Sequence, residues 1–336
     1  MASAADFFAR HNLPTESRSL CLAFANSKYP DSHIREALSQ GFCSFTLELD
    51  QTIIQFRPPI HQISLAMASA AYEIHGTIAP LTSSLGTIAL PTTTPNYLTS
   101  PLHVYHMSRL PGIPLSSLQS LPPPHRRSLL TSYAKLLAKT WYSPSQPQAS
   151  LIASTIHPRL LTLHSRLPSR FQSVISCVLA SLPDILALPW VLTHGDFIPS
   201  NILVSISPTS NISGLLDWAE AEYLPFGICL YGLEELLGES VGGDGQEGEK
   251  YPAPGSVFGY YEDAEEMRAW FWGVLEGLVP EIRENRGTAE MAALLGILLW
   301  HGFAWDGGKL DRVVDGKQDG EEVQRLDAML LGRVVN

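Results

Sequence analysis

The 336-residue chain has few of the features that mark secreted proteins, proteins stabilised by a structural metal ion, or membrane proteins. Its four cysteines, at positions 21, 43, 177 and 229, lack the paired C-x-x-C spacing of a disulfide framework or a zinc site. No apolar run approaches the roughly 20 residues needed to cross a bilayer, and the N-terminus has no basic-then-apolar signal segment. These absences predict buried free thiols, a cytoplasmic location and no membrane partner.

Positive charge is also scarce, and the net charge is −11. Residues 213–290 hold 17 acidic against 4 basic side chains, whereas residues 101–212 hold 2 acidic against 8 basic ones. An acidic second half argues against a nucleic-acid partner, because nucleic-acid phosphates need a basic face. It suits a cationic small substrate, although a solvated acidic surface is the better explanation for most of these residues.

The chain is long enough for two lobes, since single cores seldom grow past roughly 250 to 300 residues. Its hydrophobic content of 45% excludes a disordered protein. Residues 42–49 and 52–56 form two β-rich runs, and residues 102–107 are typical of an edge strand. Helical apolar spacing occurs in residues 63–79, 115–181 and those after 257. The aromatic residues of the last part, Trp305 among them, are predicted to pack in a helical core. The alternative is that some of them line a pocket with Glu220, Glu222 or Asp306, and such a pocket would favour an amine.

One stretch carries the chemistry, WVLTHGDFIPSNILVSISPTSNISGLLDW at residues 190–218. It predicts a strand, a polar loop, and a β-hairpin whose tip lies near Thr209. In that register Asn201 faces Asp217 and Leu203 faces Leu215, so the two polar side chains lie roughly 5 Å apart. A carboxylate and an amide oxygen beside the Asp196 loop suit Mg²⁺, which takes one or two carboxylates and completes its shell with water and substrate phosphates.

These residues resemble a known family. His194-Gly195-Asp196, Asn201 five residues later and Asp217 at a strand end follow the H-x-D-x-x-x-x-N … D pattern of protein-kinase-like phosphotransferases. The sequence segments HGDFIPSN and LLDWAEAEYLPFG are most similar to the aminoglycoside and choline phosphotransferase family, in particular its fungal members.

The resemblance implies an α+β, two-lobed fold. A small β-rich nucleotide-covering lobe would span residues 1–107, and a larger, mostly helical catalytic lobe would span residues 108–336. It implies ATP and Mg²⁺ as cofactors and transfer of phosphate to a hydroxyl of a small molecule, possibly cationic. The oligomeric state stays open.

The resemblance also assigns roles to individual residues. Asp196 would be the catalytic base, braced by His194, and Asn201 and Asp217 would bind the metal. The hairpin of residues 42–49 and 52–56, with Gly41 at its open end, would cover the nucleotide. The connector between the lobes, which contains Met107 and Arg109, would bind it. Glu220 and Glu222 are candidates for binding the substrate.

The sequence departs from the family at the strand lysine that pairs with nucleotide phosphates. No lysine occurs between Lys28 and Lys135, and Gln55 stands at the expected position in TIIQFR. Arg57 lies on the same strand face and is the cation that could replace the lysine, although its geometry differs. Glu73, the only acid of the following helix, is its candidate partner; an exposed helix glutamate is the alternative.

Two other classes of function stay open. A kinase-like fold without phosphotransfer, used for binding or for nucleotide-free chemistry, would explain the missing lysine. A serine hydrolase is suggested by the G-x-S-x-G match at residues 238–242, but that motif requires a turn between a strand and a helix. Here it follows a predicted helix and enters a Gly-rich loop.

Overall fold

A computed structural model describes residues 4–38, 40–91, 100–118, 121–145, 153–205, 210–242, 255–306 and 309–332. The α-helices within these ranges are α1 (Ala4–Arg10), α2 (Ser17–Lys28), α3 (Leu65–His75), α4 (Pro123–Trp141), α5 (Ile156–Arg166), α6 (Gln172–Ala180), α7 (Leu182–Ala187), α8 (Tyr231–Leu236), α9 (Ala264–Leu278), α10 (Ile282–His301) and α11 (Gly320–Leu326). None of the described helices is long and apolar enough to span a bilayer.

The strands are β1 (Arg35–Glu36), β2 (Phe45–Glu48), β3 (Thr52–Arg57), β4 (Thr82–Ile88), β5 (Leu102–Ser108), β6 (Ile113–Pro114), β7 (Trp190–Thr193), β8 (Ile202–Val204), β9 (Ile212–Leu215), β10 (Glu222–Pro225), β11 (Gly238–Gly242), β12 (Ser256–Tyr260), β13 (Phe303–Asp306) and β14 (Lys309–Val313).

The first part of the chain is built on one antiparallel sheet with the strand order β1-β2-β3-β5-β4. The predicted hairpin is confirmed as β2 and β3, in which Phe45 faces Phe56. The prediction that residues 102–107 form an edge strand is wrong, because β5 lies between β3 and β4. Its alternating pattern reflects an interior strand with only one face on the core, and β4 supplies the edge.

The N-terminal helices pack on the buried face of this sheet. Phe7 and Cys21 are fully buried in one apolar cluster with Phe45, Phe56 and Val104. This small core is separate from the main one, so the β-rich part has its own apolar interior.

Helix α3 connects the sheet to the rest of the molecule, as the Ala-rich spacing of residues 63–79 predicts. The Ser64 side chain accepts a hydrogen bond from the Met67 amide at its start, and Gly76, at φ +64°, ends it in a conformation that favours glycine. Ala71 packs into the main core, and His75 contacts the ring of Trp218 at 5.4 Å.

The second part is mostly helical and surrounds the largest apolar cluster. Helix α10 lies centrally in it, with Leu295, Ile297 and Leu298 fully buried. Small antiparallel sheets lie at the surface of these helices: β6-β8-β9, β7-β10, β11-β12 and β13-β14.

The predicted β8–β9 hairpin is present, but its predicted register is wrong by one residue. Leu203 faces Gly214 and Ile202 faces Leu215, and the register shifts again between Leu203 and Val204. Asn201 pairs through its carbonyl with the Leu216 amide at 2.8 Å. Next to the turn Val204 faces Ile212, which is two residues from the predicted register, and Ser213 of β9 is the extra residue that changes every facing pair beyond it. Thr209, at the predicted tip, lies outside the described residues.

Residues 238–242 form strand β11, paired with β12, and not the loop that their glycines predict. Ser240 accepts a hydrogen bond from the Arg325 guanidinium at 2.5 Å. The nucleophile turn of a G-x-S-x-G hydrolase is therefore not formed, because Ser240 sits in the middle of a strand.

Arg325 belongs to a buried charged cluster between α8, α10 and α11. Glu235 lies 2.7 Å from Arg325 and 3.1 Å from Nε2 of His301, whose Nδ1 is 2.8 Å from Glu322. Burial alone would lower the pKa of His301, but its interactions with the two glutamates outweigh this and leave the pKa raised. Both ring nitrogens face carboxylates, so the imidazolium form fits the cluster.

A raised histidine pKa stabilises the fold below the unfolded-state pKa of about 6.5, and this stabilisation is lost as pH rises through the folded-state value. We therefore expect the stability difference between wild type and His301→Gln to shrink by on the order of 1 kcal/mol between pH 5.5 and pH 9. Urea unfolding at both pH values measures it, with His33→Gln, which removes an exposed histidine, as the control. A difference of equal size at both pH values would contradict the imidazolium assignment.

Candidate active site

The loop after β7 holds His194 in a fixed and neutral state. Its Nε2 lies 2.8 Å from the Leu216 carbonyl, and its Nδ1 accepts a hydrogen bond from the Asp196 amide at 3.2 Å. Since Nδ1 accepts, Nε2 carries the proton and donates to Leu216. Burial lowers the pKa of His194 to about 4. His194 thus ties the loop to the β8–β9 hairpin, as a bracing role requires.

Gly195 allows the next part of the site to approach closely. Its φ is +81°, and an added Cβ would lie 2.1 Å from the carbonyl oxygen of Glu220. Only glycine fits here, because both the backbone conformation and the space exclude a side chain. The loop is therefore packed directly on the segment that follows Asp217.

Asn201 is bound to Asp196, five residues before it. Its side-chain nitrogen donates to the Asp196 carboxylate at 2.7 Å and to the Asp196 backbone carbonyl at 3.0 Å. A short 3₁₀ turn at Pro199–Asn201 makes this possible. Because the amide nitrogen is used, the amide oxygen is the atom that could contact a cation.

Asp217 leaves β9 in the left-handed conformation, with φ +54°. Its carboxylate accepts a hydrogen bond from Arg57 at 2.9 Å, and its side chain is 38% exposed, whereas that of Arg57 is 2% exposed. The next residue, Trp218, contacts the ring of His194 at 4.5 Å. The ion pair between Arg57 and Asp217 therefore joins the five-stranded sheet to the segment that follows β9.

The two carboxylates have pKa values that move in opposite directions. Burial raises the pKa of Asp196 to about 8, and the charge of Asp217 adds to this. Burial would also raise the pKa of Asp217, but the charge and hydrogen bond of Arg57 outweigh it and leave the pKa lowered. A pair of carboxylates separated in this way is suited to two different roles.

The donor atoms fit a magnesium ion. Asp217 offers a partly exposed carboxylate and Asn201 an amide oxygen, the kind of sparse all-oxygen set that Mg²⁺ uses when substrate phosphates complete its shell. The described residues contain no cluster of three or more His, Cys, Asp and Glu with metal-binding geometry. This excludes from that part of the chain a cage made of such side chains alone.

The structure brings Gln55 and Arg57 together as alternation along β3 predicts. Arg57 Nε donates to Gln55 at 3.0 Å, and one Nη donates to the His61 carbonyl at 3.4 Å. The predicted pair between Arg57 and Glu73 is wrong. Glu73 is exposed on α3 and accepts a hydrogen bond from Ser69, because the guanidinium points away from the helix and toward Asp217.

The other candidates for nucleotide contacts lie around the same sheet. Gly41 lies in the turn before β2, and Met107 lies in β5 opposite Ile53. The Arg109 amide donates to the Gln51 carbonyl, and its guanidinium lies 3.6 Å from Glu48. Glu220 and Glu222 follow Asp217. Burial raises the pKa of Glu220, and the charge of Asp217 adds to this.

Three residues near this site were not assigned to it from the sequence. Burial raises the pKa of the Cys43 thiol to about 12, and the charges of Asp217, Glu220 and Asp196 act in the same direction. Its neighbour Phe42 contacts Trp305 of β13.

Trp305 is 41% exposed and lies on a strand, so the prediction of a helical core position is wrong. The Asp-Gly-Gly that follows it at positions 306–308 is turn chemistry and was the available signal for a strand end.

Comparison with known proteins agrees with this geometry. The model of the phosphotransferase enzyme family, APH, matches residues 89–228, which is less than half of the chain and includes His194, Asp196, Asn201 and Asp217. No curated protein sequence matches the chain.

Two solved structures are similar in fold, each at 12% identity. The first is the GDP complex of a mutant aminoglycoside 2'-phosphotransferase IIIa, with a TM-score of 0.52 over 84% of this chain and 89% of that one. The second is a macrolide 2'-phosphotransferase of type I, with a TM-score of 0.50 over 88% of this chain and 94% of that one.

The protein thus has the two-lobed, protein-kinase-like fold of small-molecule phosphotransferases, with a β-rich first part and a mostly helical second part. Residues 89–228 carry the sequence pattern of the phosphotransferase enzyme family, which confirms the predicted resemblance. The more specific likeness to fungal members and the division at residues 107 and 108 stay predictions.

The close packing at Gly195 gives a testable consequence. We expect Gly195→Ala to lower the free energy of unfolding by about 2 kcal/mol or more, because it combines a steric clash with a disfavoured backbone conformation. Gly273→Ala is the matched control: Gly273 lies inside α9 with nothing within 4 Å of an added Cβ. It should gain about 0.5 to 1 kcal/mol from helix propensity. Chemical denaturation measures both, and equal effects would contradict the packing argument.

Proposed function

We propose that this protein is an ATP-dependent phosphotransferase that acts on a hydroxyl group of a small molecule. The observation that carries the proposal is the convergence of three oxygen-bearing side chains. Asn201 is bonded to Asp196 at 2.7 Å, and Asp217 is bonded through Arg57 to the sheet that would cover the nucleotide. The match to the phosphotransferase enzyme family at residues 89–228 supports the same class of reaction.

Asp196 is the proposed catalytic base. It lies on a loop braced by His194 and is partly buried, and its raised pKa makes the ionised carboxylate a stronger proton acceptor than an ordinary aspartate. It would orient the substrate hydroxyl and take its proton while that oxygen attacks the γ-phosphate. The hydrogen bond from Asn201 fixes the direction of the carboxylate.

Asn201 and Asp217 are the proposed magnesium ligands. A bound Mg²⁺ would neutralise charge on the nucleotide phosphates during transfer. Asp217 is ready for this role because Arg57 holds it ionised, and its partial exposure leaves it open to the cleft.

Arg57 is proposed to take over part of the role of the missing lysine. Its guanidinium has five N–H donors, and three of them are used by Gln55, the His61 carbonyl and Asp217. Two donors remain for a phosphate oxygen, and since the side chain is 2% exposed, this contact requires the surrounding segment to open on nucleotide binding. Gly41, Met107 and Arg109 are proposed to line the rest of the nucleotide site.

The acceptor is proposed to be a small molecule with a hydroxyl group. The similar structures are phosphotransferases of aminoglycosides and of macrolides, and the first holds a nucleoside diphosphate. Glu220 and Glu222 are placed after Asp217 and could bind a positively charged group of such an acceptor. A cytoplasmic location fits an ATP-dependent reaction.

A second candidate function is a kinase-like fold that no longer transfers phosphate. Gln55 at the lysine position favours it, together with the ion pair that occupies one oxygen of Asp217. Under this reading Arg57 would replace the metal charge instead of assisting it.

Substitutions in the site test the reaction directly. We expect Asp196→Asn to lower kcat by at least about 100-fold with little effect on nucleotide binding, because it removes the proton acceptor and keeps the shape. Asp217→Asn should abolish turnover and also weaken Mg-ATP binding, since it removes the carboxylate ligand. Transfer from γ-labelled ATP to a panel of alcohols, amino alcohols and sugars measures turnover, with the exposed Glu284→Gln as control. Wild-type turnover by Asp217→Asn would rule out the proposed metal role.

Thermal unfolding with Mg-ATP separates the two candidate functions. A ligand that binds only the folded state at 100 times its Kd stabilises it by about 2.7 kcal/mol. We expect wild type to gain a Tm shift of a few degrees with Mg-ATP and less with ATP plus EDTA. Equal shifts with and without Mg²⁺ would favour metal-independent binding, and no shift at all would favour the nucleotide-free alternative.

A further inference from the structure

An aromatic contact crosses the cleft between the two lobes. Phe42, in the turn before β2, meets Trp305 of β13 with ring centroids 4.4 Å apart and planes at 77°. The two residues are 263 positions apart in the chain and belong to different lobes. An edge-to-face pair of this kind is favourable but weak, so it can open without unfolding either lobe.

Phe42 is anchored within its own lobe, and the strand that carries Trp305 is anchored within the other. The Arg10 guanidinium stacks on Phe42 at 4.3 Å, and Nε2 of His11 lies 2.8 Å from the Phe42 carbonyl. On the other side Arg312 binds both Asp306, next to Trp305, and Asp319. The contact therefore joins two anchored platforms, and opening it requires movement between the lobes or rotation of Trp305.

The contact lies beside the proposed site. Cys43 follows Phe42 and lies within electrostatic reach of Asp217, Glu220 and Asp196. The ring of His61 is 6.1 Å from that of Phe42, and the His61 carbonyl accepts a hydrogen bond from Arg57, the partner of Asp217. This series of contacts places Phe42 beside the segment that binds Arg57, the partner of Asp217.

We propose that the contact between Phe42 and Trp305 is an interlobe clasp, which controls how the phosphate acceptor, a small molecule with a hydroxyl group, reaches Asp196. Trp305 is the residue that positions this acceptor on its side of the cleft. The inference rests on the proposed function for the identity of the ligands. The clasp itself depends only on the contact between Phe42 and Trp305.

Cys43 provides a reporter that needs no substrate. It is partly buried, Cys21 and Cys229 are buried, and Cys177 is exposed. Alkylation by iodoacetamide, followed peptide by peptide with mass spectrometry, compares the rate at Cys43 with that at Cys177 in the same sample. Cys177 therefore corrects for differences in reagent and protein concentration.

We expect Trp305→Ala to speed alkylation of Cys43 roughly three- to tenfold, the population change that loss of one aromatic contact produces, and to leave Cys177 unchanged. Trp305→Phe, which keeps a ring, should restore most of the slow rate. Trp270→Ala is the matched control, because Trp270 is similarly exposed at 44% but lies on α9 and contacts Arg127 and Thr131. An unchanged Cys43 rate in Trp305→Ala, or an equal rise in Trp270→Ala, overturns the clasp.

Mg-ATP separates failure of the clasp from failure of the proposed function. If Mg-ATP raises the Tm of wild type and of Trp305→Ala alike while their Cys43 rates are equal, the clasp is wrong and the proposed function stands. If Trp305→Ala speeds alkylation but Mg-ATP changes neither Tm nor rate in either protein, the clasp is supported and the proposed nucleotide chemistry fails. Should Trp305→Ala not fold, Phe42→Leu carries the same two comparisons from the other lobe.

Discussion

The ion pair between Arg57 and Asp217 is the interaction on which the site depends. A guanidinium that is 2% exposed cannot be left without a partner, because the cost of removing its charge from water is recovered only by a close carboxylate and further hydrogen bonds. Gln55 and the His61 carbonyl supply those bonds, and Asp217 supplies the charge. The position of β3 relative to the segment that begins at Asp217 is therefore fixed by electrostatics as well as by packing.

The same pair separates the roles of the two carboxylates. Arg57 keeps Asp217 ionised, and the charge of Asp217 in turn makes it harder for Asp196 to lose its proton. Arg57 thus lowers the pKa of Asp217 directly, whereas the pKa of Asp196 is raised first by burial and then by the charge of Asp217. The family resemblance implies a lysine in place of this cation. That lysine would stand two residues earlier on the same strand face, at position 55, and would pair with a glutamate of the neighbouring helix. Here the helix glutamate, Glu73, is exposed and is replaced as partner by Asp217.

Local chemistry was predictable from the sequence, and long-range alignment was not. The spacing of His194, Asp196 and Asn201 sets their contacts within one loop, so the motif predicts the site. The predicted register of β8 and β9 was wrong because it depends on the exact position of the turn, and the pairing of Val204 with Ile212 next to that turn is already two residues from the prediction.

Other errors have a similar origin. The alternation of β5 does not reveal whether a second strand pairs on its far side, so an interior strand was predicted to be an edge. The partner of Arg57 also could not be predicted, since it lies 160 residues away and depends on how the lobes meet.

The acidic second half illustrates a different limit, because a charge count does not say which charges are already paired. Glu234 binds Arg268, Glu235 binds Arg325, Asp263 binds Arg126 and Glu276 binds Arg286. These pairs connect helices of the larger lobe, so part of the acidic excess is neutralised within the protein. The net charge of the chain is therefore no measure of how well a cationic acceptor would bind.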